Sequence, residues 1–172
     1  MKQPTLLSFD GAALKGCATH ILMITVRIRK LSPSVPLPRY ESGGAAAFDL
    51  AASEDATIGP GEVALVPTGL VIEVPRGMFL GIFARSSTPL KRGLMVANGV
   101  GVVDPDYCGP ADEVKIAVLN FTPRPVQVKA GDRIAQGILL PAARVTWEET
   151  ETAPKESRGG FGSTGERLKL EG

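Results

Sequence analysis

Histidine is all but missing from this 172-residue chain: His20 is the only one. A Ser-His-Asp arrangement or a His-ligated zinc centre therefore has almost nothing to be built from. Cysteine is nearly as scarce. Cys17 and Cys108 make neither a disulfide framework nor a zinc cage, and both are expected as free thiols in a reducing compartment. Any catalysis falls to carboxylates, hydroxyls, arginine or a loosely held metal.

An excess of one charge is also lacking. Lysine and arginine number 19 against 18 aspartates and glutamates, for a net charge of +1, and no long basic block appears. That balance leaves no electrostatic footprint for a nucleic-acid partner. Long apolar runs are missing too. The stretch Ile21-Leu-Met-Ile-Thr-Val26 is too short to cross a bilayer. Asp10, Lys15 and His20 interrupt a signal-peptide core, and the first arginine is Arg27, unlike a transit peptide. A soluble cytoplasmic protein without a membrane partner is the expectation. Residues 1–22 read as a leader, and Met23, at the opening of the first strand pattern, offers an alternative start.

What the chain does have is turn residues, 20 glycines and 14 prolines. A helical bundle would not tolerate them, and no window beyond about a dozen residues keeps a helical period except a turn near Ser87 to Gly93. Strand patterns dominate instead. Ile24, Val26 and Ile28 alternate with Thr25, Arg27 and Arg29. After the linker LSPSVPLPRYESGG come AFDLAA, VALVP, LVIEV, MFLGIFA, LMVA, VGVVD, VKIAVLNF, PVQV, RIAQGILL and RVTWEE. Short strands punctuated every eight to twelve residues predict an all-β sandwich or jelly-roll-like barrel, here over residues 23–147. Residues 148–172 begin with the polar EETETAPKES and read as a flexible arm.

Five windows carry candidate chemistry. In AAAFDLAA, Asp49 either orders Arg85 or a metal's water shell, or simply faces solvent. In ARSSTPLKRGL, Arg85, Ser86 and Ser87 suit a phosphate, or one of the serines is an N-cap. In VANGVGVVDPDY, the glycines allow a flat ligand close to bare backbone. Asp104 there is placed to deprotonate a water, and Tyr107 offers a face for a sugar. The alternative for that window is a plain β-hairpin turning at Asp-Pro-Asp. In GDRIAQGI, Gln136 donates to a phosphate or satisfies an edge strand. The C-terminal SRGGFGSTG lacks the P-loop pattern, yet its free amides, Ser163 and Thr164 suit an anion and Phe161 a base. A disordered Gly/Ser tail is the alternative.

In this order, AAAFDLAA, ARSSTPLKRGL, NGVGVVDPDY, GDRIAQGI and SRGGFGSTG resemble the five motifs of the trimeric dUTPase family, over roughly Ile24 to Gly165. The resemblance implies a homotrimer of distorted jelly-roll-like barrels with active sites at subunit boundaries. It implies hydrolysis of dUTP to dUMP and pyrophosphate with Mg²⁺, by in-line attack of water on the α-phosphorus. Asp104 would activate that water. Asn98 and the backbone of Val102 and Val103 would read uracil, and Tyr107 would pack on deoxyribose. Arg85, Ser86, Ser87 and Gln136 would hold phosphates, Lys115 would touch substrate, and Asp49 would meet the metal through water. Phe161 would stack on the base while Arg158, Gly162, Ser163 and Thr164 close over the γ-phosphate, a lid rather than a nucleotide-binding loop.

Two positions depart from the family pattern. Glu156 stands where many members place the fifth-motif arginine, with Arg158 only three residues before Phe161. After Tyr107 the chain reads CGPADEVKI, about three residues longer than the usual YxGEVKI pattern, adding Asp112 or Glu113 near Lys115. Two rival functions share the fold: a dCTP deaminase-like enzyme, whose second motif also contains RSS, and a non-catalytic regulatory binding module. The deaminase needs a glutamate in its pyrimidine pocket, where this chain has Asp104 and Tyr107. The binding module needs neither Asp104 nor the tail.

Overall fold

The structure, a computed structural model of the chain, describes residues 24–152 together with Ser157 and Gly159. Eleven short strands follow one another among the described residues: β1 (Arg27–Lys30), β2 (Phe48–Ala51), β3 (Ala56–Ile58), β4 (Val63–Pro67), β5 (Leu70–Glu73), β6 (Met78–Ala84), β7 (Leu94–Val96), β8 (Gly101–Val103), β9 (Lys115–Asn120), β10 (Val126–Val128) and β11 (Arg133–Pro141). A single five-residue helical turn, Thr88–Arg92, separates β6 from β7. All strand pairs are antiparallel. The four-stranded sheet runs β2-β11-β6-β8 and the three-stranded sheet β4-β9-β7, with two further pairs, β1-β5 and β10-β3. This is the jelly-roll-like all-β architecture expected from the sequence.

Alternation along each strand sets what faces inward. In β9, Ile116, Val118 and Asn120 are buried while Lys115 is exposed. Leu50, Ile58, Leu80, Leu94, Ile116 and Ile134 are fully buried in one continuous apolar cluster. Each such side chain contributes roughly 1.5–3 kcal/mol by leaving water. Asn120 is a polar exception, buried like Thr68 and Thr88. Its amide donates to the Ile58 and Arg124 carbonyls, and its oxygen accepts from the Thr122 amide and hydroxyl. With all its hydrogen-bonding capacity used, the buried amide pins the β9–β10 turn instead of weakening the core.

The helical turn ends at Gly93, whose φ of +66° reverses the chain. A Cβ there would stand 2.0 Å from Thr122 Cγ2, so only glycine lets the chain pass. The turn is also clipped to the start of β11. Arg92 grips Asp132 with two parallel hydrogen bonds of 2.7 and 2.8 Å, and the buried Thr88 hydroxyl donates to the Ile134 carbonyl.

Three sequence expectations need correction. Ala56–Ile58 is a strand that the sequence did not suggest, made by pairing with β10. Conversely, residues 144–149 form no strand: Val145 and Trp147 alternate as a strand would, but they stand 63% and 92% exposed. Periodicity alone gives the backbone nothing to bond to. The last strand among the described residues accordingly ends at Pro141. Finally, VANGVGVVDPDY is not a laddered hairpin. The chain does reverse at Val96–Gly99, but β7 pairs with β9 and β8 with β6.

Candidate active site

The second, first and fourth windows meet at one corner of the four-stranded sheet. Register places Asp49 of β2 opposite Gln136 of β11, and Gln136 opposite Phe83 of β6. Arg85 follows β6 directly and reaches across β11. Its Nε lies 2.7 Å from Asp49 Oδ1, and its Nη1 donates to the Arg133 carbonyl. Asp49 is only 11% exposed, and its other oxygen accepts from Arg133 Nη1 at 3.0 Å. Of the roles open to Asp49, ordering Arg85 is the one this geometry supplies, and the side chain does not face solvent. Arg133, which the sequence reading passed over, also bonds Glu41. That hydrogen bond first, then the charges of Glu41 and Asp49, raise the Arg133 pKa above its ordinary value.

Gln136 donates its amide to the Ala84 carbonyl at 3.0 Å, at the point where β6 gives way to Arg85. The amide therefore fixes the backbone that presents Arg85, Ser86 and Ser87. Ser87 sits at the cap position of the helical turn, but its side chain makes no capping hydrogen bond. The N-cap alternative thus fails for Ser87, and neither serine hydroxyl has a partner among the described residues. A turn of five residues has little dipole to offer an anion. What this corner presents is a guanidinium held in place by a carboxylate, with two free hydroxyls beside it.

The third window lies elsewhere. Asn98 is exposed in the turn between β7 and β8. Each of those strands is an edge of its own sheet, so beyond that turn both have one side without a ladder partner. In β8, Gly101 and Val103 face inward and Val102 outward at 60% exposure. Asp104 through Tyr107 then form a tight turn, closed by the Tyr107 amide on the Asp104 carbonyl at 3.2 Å. The Asp-Pro-Asp turn is therefore present, without the hairpin. The exposed Asp104 carboxylate has no hydrogen-bond or ionic partner among the described residues. The Tyr107 hydroxyl donates to the Glu113 carbonyl at 3.1 Å. Lys115 opens β9, its ammonium 3.9 Å from the Glu113 carboxylate.

These two groups do not meet. Val103 pairs with Leu80 in β6, so Asp104 comes level with Phe79 near the start of that strand. Arg85 lies beyond the other end, about 20 Å away at the rise of an extended strand. The separation is diagonal as well. Arg85 leans towards β11 and β2, while β8 flanks β6 on the opposite side. Arg158, Phe161, Gly162, Ser163 and Thr164 lie outside the described residues.

Cys108 is a free thiol among the described residues. No group of three or more histidine, cysteine, aspartate or glutamate side chains is placed to hold a metal ion among the described residues. Each Asp49 oxygen accepts from a guanidinium group. No helix among the described residues is long and apolar enough to cross a membrane.

Comparison with known proteins agrees with the motif order. The family model described as dUTPase matches residues 34–165. The chain is 41% identical over 147 residues to the deoxyuridine 5'-triphosphate nucleotidohydrolase of Anaeromyxobacter sp. (strain Fw109-5), covering 83% of this chain and 98% of that protein. It is 46% identical over 134 residues to the protein of the same name from Desulfitobacterium hafniense (strain DSM 10664 / DCB-2), covering 75% and 87%. The crystal structure of dUTPase from Streptococcus mutans superposes with a TM-score of 0.66 at 33% identity, covering 71% of this chain and 98% of that one.

Proposed function

The chain belongs to the dUTPase family, and from that premise we propose that it hydrolyses dUTP to dUMP and pyrophosphate in sites completed by neighbouring copies. One observation carries the shared site: Arg85 and Asp104 occupy opposite ends of β6. A base acting on an attacking water must come within hydrogen-bond reach of it, about 2.6–3.2 Å. A phosphate held at Arg85 is far outside that reach for the same chain's Asp104. A second copy brings its own Asp104 to the first copy's Arg85, and a homotrimer closes the arrangement.

The three-stranded sheet offers a surface for that assembly. Val63, Met95 and Leu119 share one row and Leu65 and Ala117 the next, all on the side of the sheet away from the core. Such an apolar face suits burial against another copy of the chain.

In this arrangement Arg85, Ser86, Ser87 and Gln136 of one subunit hold the phosphates. The unpaired edges of β7 and β8 in another, with Asn98 and the backbone of Val102 and Val103, read uracil as a complementary base would. Cytosine then meets donors and acceptors in the wrong places, which discriminates more strongly than a change of one methyl group. Tyr107 packs on deoxyribose and leaves no space for a 2'-hydroxyl, and Lys115 stands at the edge of the same group. Asp104 orients the attacking water and takes its proton. The segment Arg158, Phe161, Gly162, Ser163 and Thr164 closes over base and γ-phosphate.

An aspartate is a weak base at neutral pH, so the phosphorus it serves must already have its negative neighbours neutralised. Mg²⁺ bound together with the triphosphate would supply that neutralisation. The substrate is a dissolved nucleotide, and the cytoplasm is the proposed compartment.

The test is turnover of dUTP, dCTP, dTTP and UTP with Mg²⁺, reading pyrophosphate and deaminated product separately. Pyrophosphate released with strong preference for dUTP is expected. Deoxyuridine nucleotide formed from dCTP without pyrophosphate would show a deaminase instead. Tight nucleotide binding with no product of either kind would show a regulatory module.

A further inference from the structure

Between Tyr107 and β9 lies the turn Cys108-Gly-Pro-Ala-Asp-Glu113, which contains the extra residues and closes upon itself. The Gly109 amide donates to Asp112 Oδ2 at 2.7 Å, and the Asp112 amide returns to the Gly109 carbonyl at 3.1 Å. Those bonds tie the turn to itself and to nothing else. Its last residue, Glu113, is the one that reaches the body of the protein. The Gly69 amide donates to Glu113 Oε1 at 2.7 Å. Around it, the Val114 amide donates to the Leu70 carbonyl, and the buried Thr68 hydroxyl donates to the Val114 carbonyl at 2.6 Å.

Gly69 lies in the turn between β4 and β5 with a φ of +68° and no room for a Cβ, which would stand 2.5 Å from Val35 Cγ2. Its carbonyl accepts from the Leu31 amide at 2.8 Å, so the Glu113 carboxylate is fastened to a turn that is itself bonded to the residue after β1. The carbonyl of the same residue accepts from the Tyr107 hydroxyl at 3.1 Å. One residue thus connects the core to the end of an otherwise exposed phenol ring. No other described group bonds the Tyr107 side chain.

We propose that Glu113 is a positioning residue for substrate selection: by holding its own carbonyl under the Tyr107 hydroxyl, it fixes the ring that tells deoxyribose from ribose. The inference rests on the role given to Tyr107 under the proposed function. A ring tied at its far end cannot swing aside to admit a 2'-hydroxyl, whereas a ring held only through its own backbone can. Glu113 acts through Tyr107 and has no proposed contact with the nucleotide.

The experiment compares kcat/KM for dUTP and for UTP in the full-length enzyme and in Glu113→Ala, Glu113→Gln, Tyr107→Phe and the double variant Glu113→Ala/Tyr107→Phe. Glu113→Ala removes the carboxylate that anchors residue 113 to Gly69, and Tyr107→Phe removes the hydroxyl that bonds the residue 113 carbonyl, so the two variants cut successive links of one chain of contacts. Each is expected to lower the dUTP:UTP ratio by about fivefold to tenfold, the worth of one neutral hydrogen bond. The loss should come mainly as a rise in the UTP value. Glu113→Gln keeps an oxygen for the Gly69 amide and should retain the starting ratio. The double variant should lose no more than either single one, because the two bonds act in series and either loss alone frees the ring.

A folded Glu113→Ala enzyme with the starting ratio overturns the inference, as does a double variant in which the two losses multiply. If Glu113→Ala does not fold, Tyr107→Phe decides alone: an unaltered ratio there overturns it too. Failure of the underlying function is distinguished at the outset, since the unsubstituted enzyme would then show no preference for dUTP over UTP.

Discussion

At one end of β6, Arg85 is held by Asp49 and by the Arg133 carbonyl, Asp49 by two guanidinium groups, and Gln136 by Ala84. At the other end, Asp104 stands exposed with no partner among the described residues, and Tyr107 is tied by a single bond. The contrast separates two jobs. Donors proposed to meet a triphosphate gain from being fixed before it arrives, because no reorganisation is then left for the reaction itself. A carboxylate proposed to orient a water needs its oxygens free. A single chain keeps the two apart, and under the proposed function a second copy would bring them together.

Substitutions can break the comparison from either end. The largest effect is expected at the open end. Asp104→Asn should lower kcat by about 10²–10⁴-fold, the usual worth of a positioned general base. Affinity for a non-hydrolysable dUTP analogue should stay close to the starting value, checked by titration calorimetry. Arg85→Ala attacks the clamped end and should instead lose affinity for the analogue, by about 10–100-fold for one charge-assisted contact. Arg85→Lys should recover little of it, since a lysine cannot bond Asp49 and the Arg133 carbonyl from one planar group.

Truncation before Ser157 tests whether the C-terminal segment serves both ends together. Activity should fall roughly tenfold or more, as closure over the phosphates is lost. The melting temperature should hold, because the last strand among the described residues ends at Pro141.

The smallest effect is a pH dependence confined to the clamped end. The hydrogen bond from Arg92 holds the Asp132 carboxyl below its ordinary value of 3.8, helped by the Lys129 amide. A depressed carboxyl contributes stability above its unfolded pKa and loses it as pH falls through the folded one. The Arg92–Asp132 clip should therefore be intact at neutral pH and weaken below about pH 4. The contribution is at most about 1 kcal/mol for a half-exposed pair. Comparing the acid unfolding midpoint of Asp132→Asn with that of the starting protein measures it.

Much of this was legible in the sequence, for reasons that differ by element. Strands such as Lys115–Asn120 declare themselves because one buried face imposes a period of two. The helical turn after Ser87 follows from Pro89 near its start and Gly93 at its end. Ala56–Ile58 gave no signal, since three residues cannot show a period and their order depends on β10. The pattern of Val145 and Trp147 misled for the converse reason: alternation marks a surface able to pair, and this one has no ladder.

At the site, the motifs named the chemistry but not the distances. Asp49 looked solvent-facing because nothing in AAAFDLAA shows that β11 will lay Arg133 beside it. Glu113 was visible only as part of an insertion. Its two contacts, with Gly69 and Tyr107, cross from one segment of the chain to another. The order of the motifs also hides the register of β6 with β8, which alone sets Arg85 and Asp104 apart.

That separation is tested most directly by mixing the two impaired variants at a dUTP concentration where each alone is nearly inactive. Arg85→Ala and Asp104→Asn chains would be unfolded together, refolded as mixed oligomers, and assayed for dUTP hydrolysis. Sites drawing Arg85 from one chain and Asp104 from another would be intact in about a quarter of cases after random assembly at equal proportions. Recovery of activity to about that fraction is predicted. Mixed oligomers as inactive as either parent would place both residues in a site built by one chain and contradict the shared arrangement.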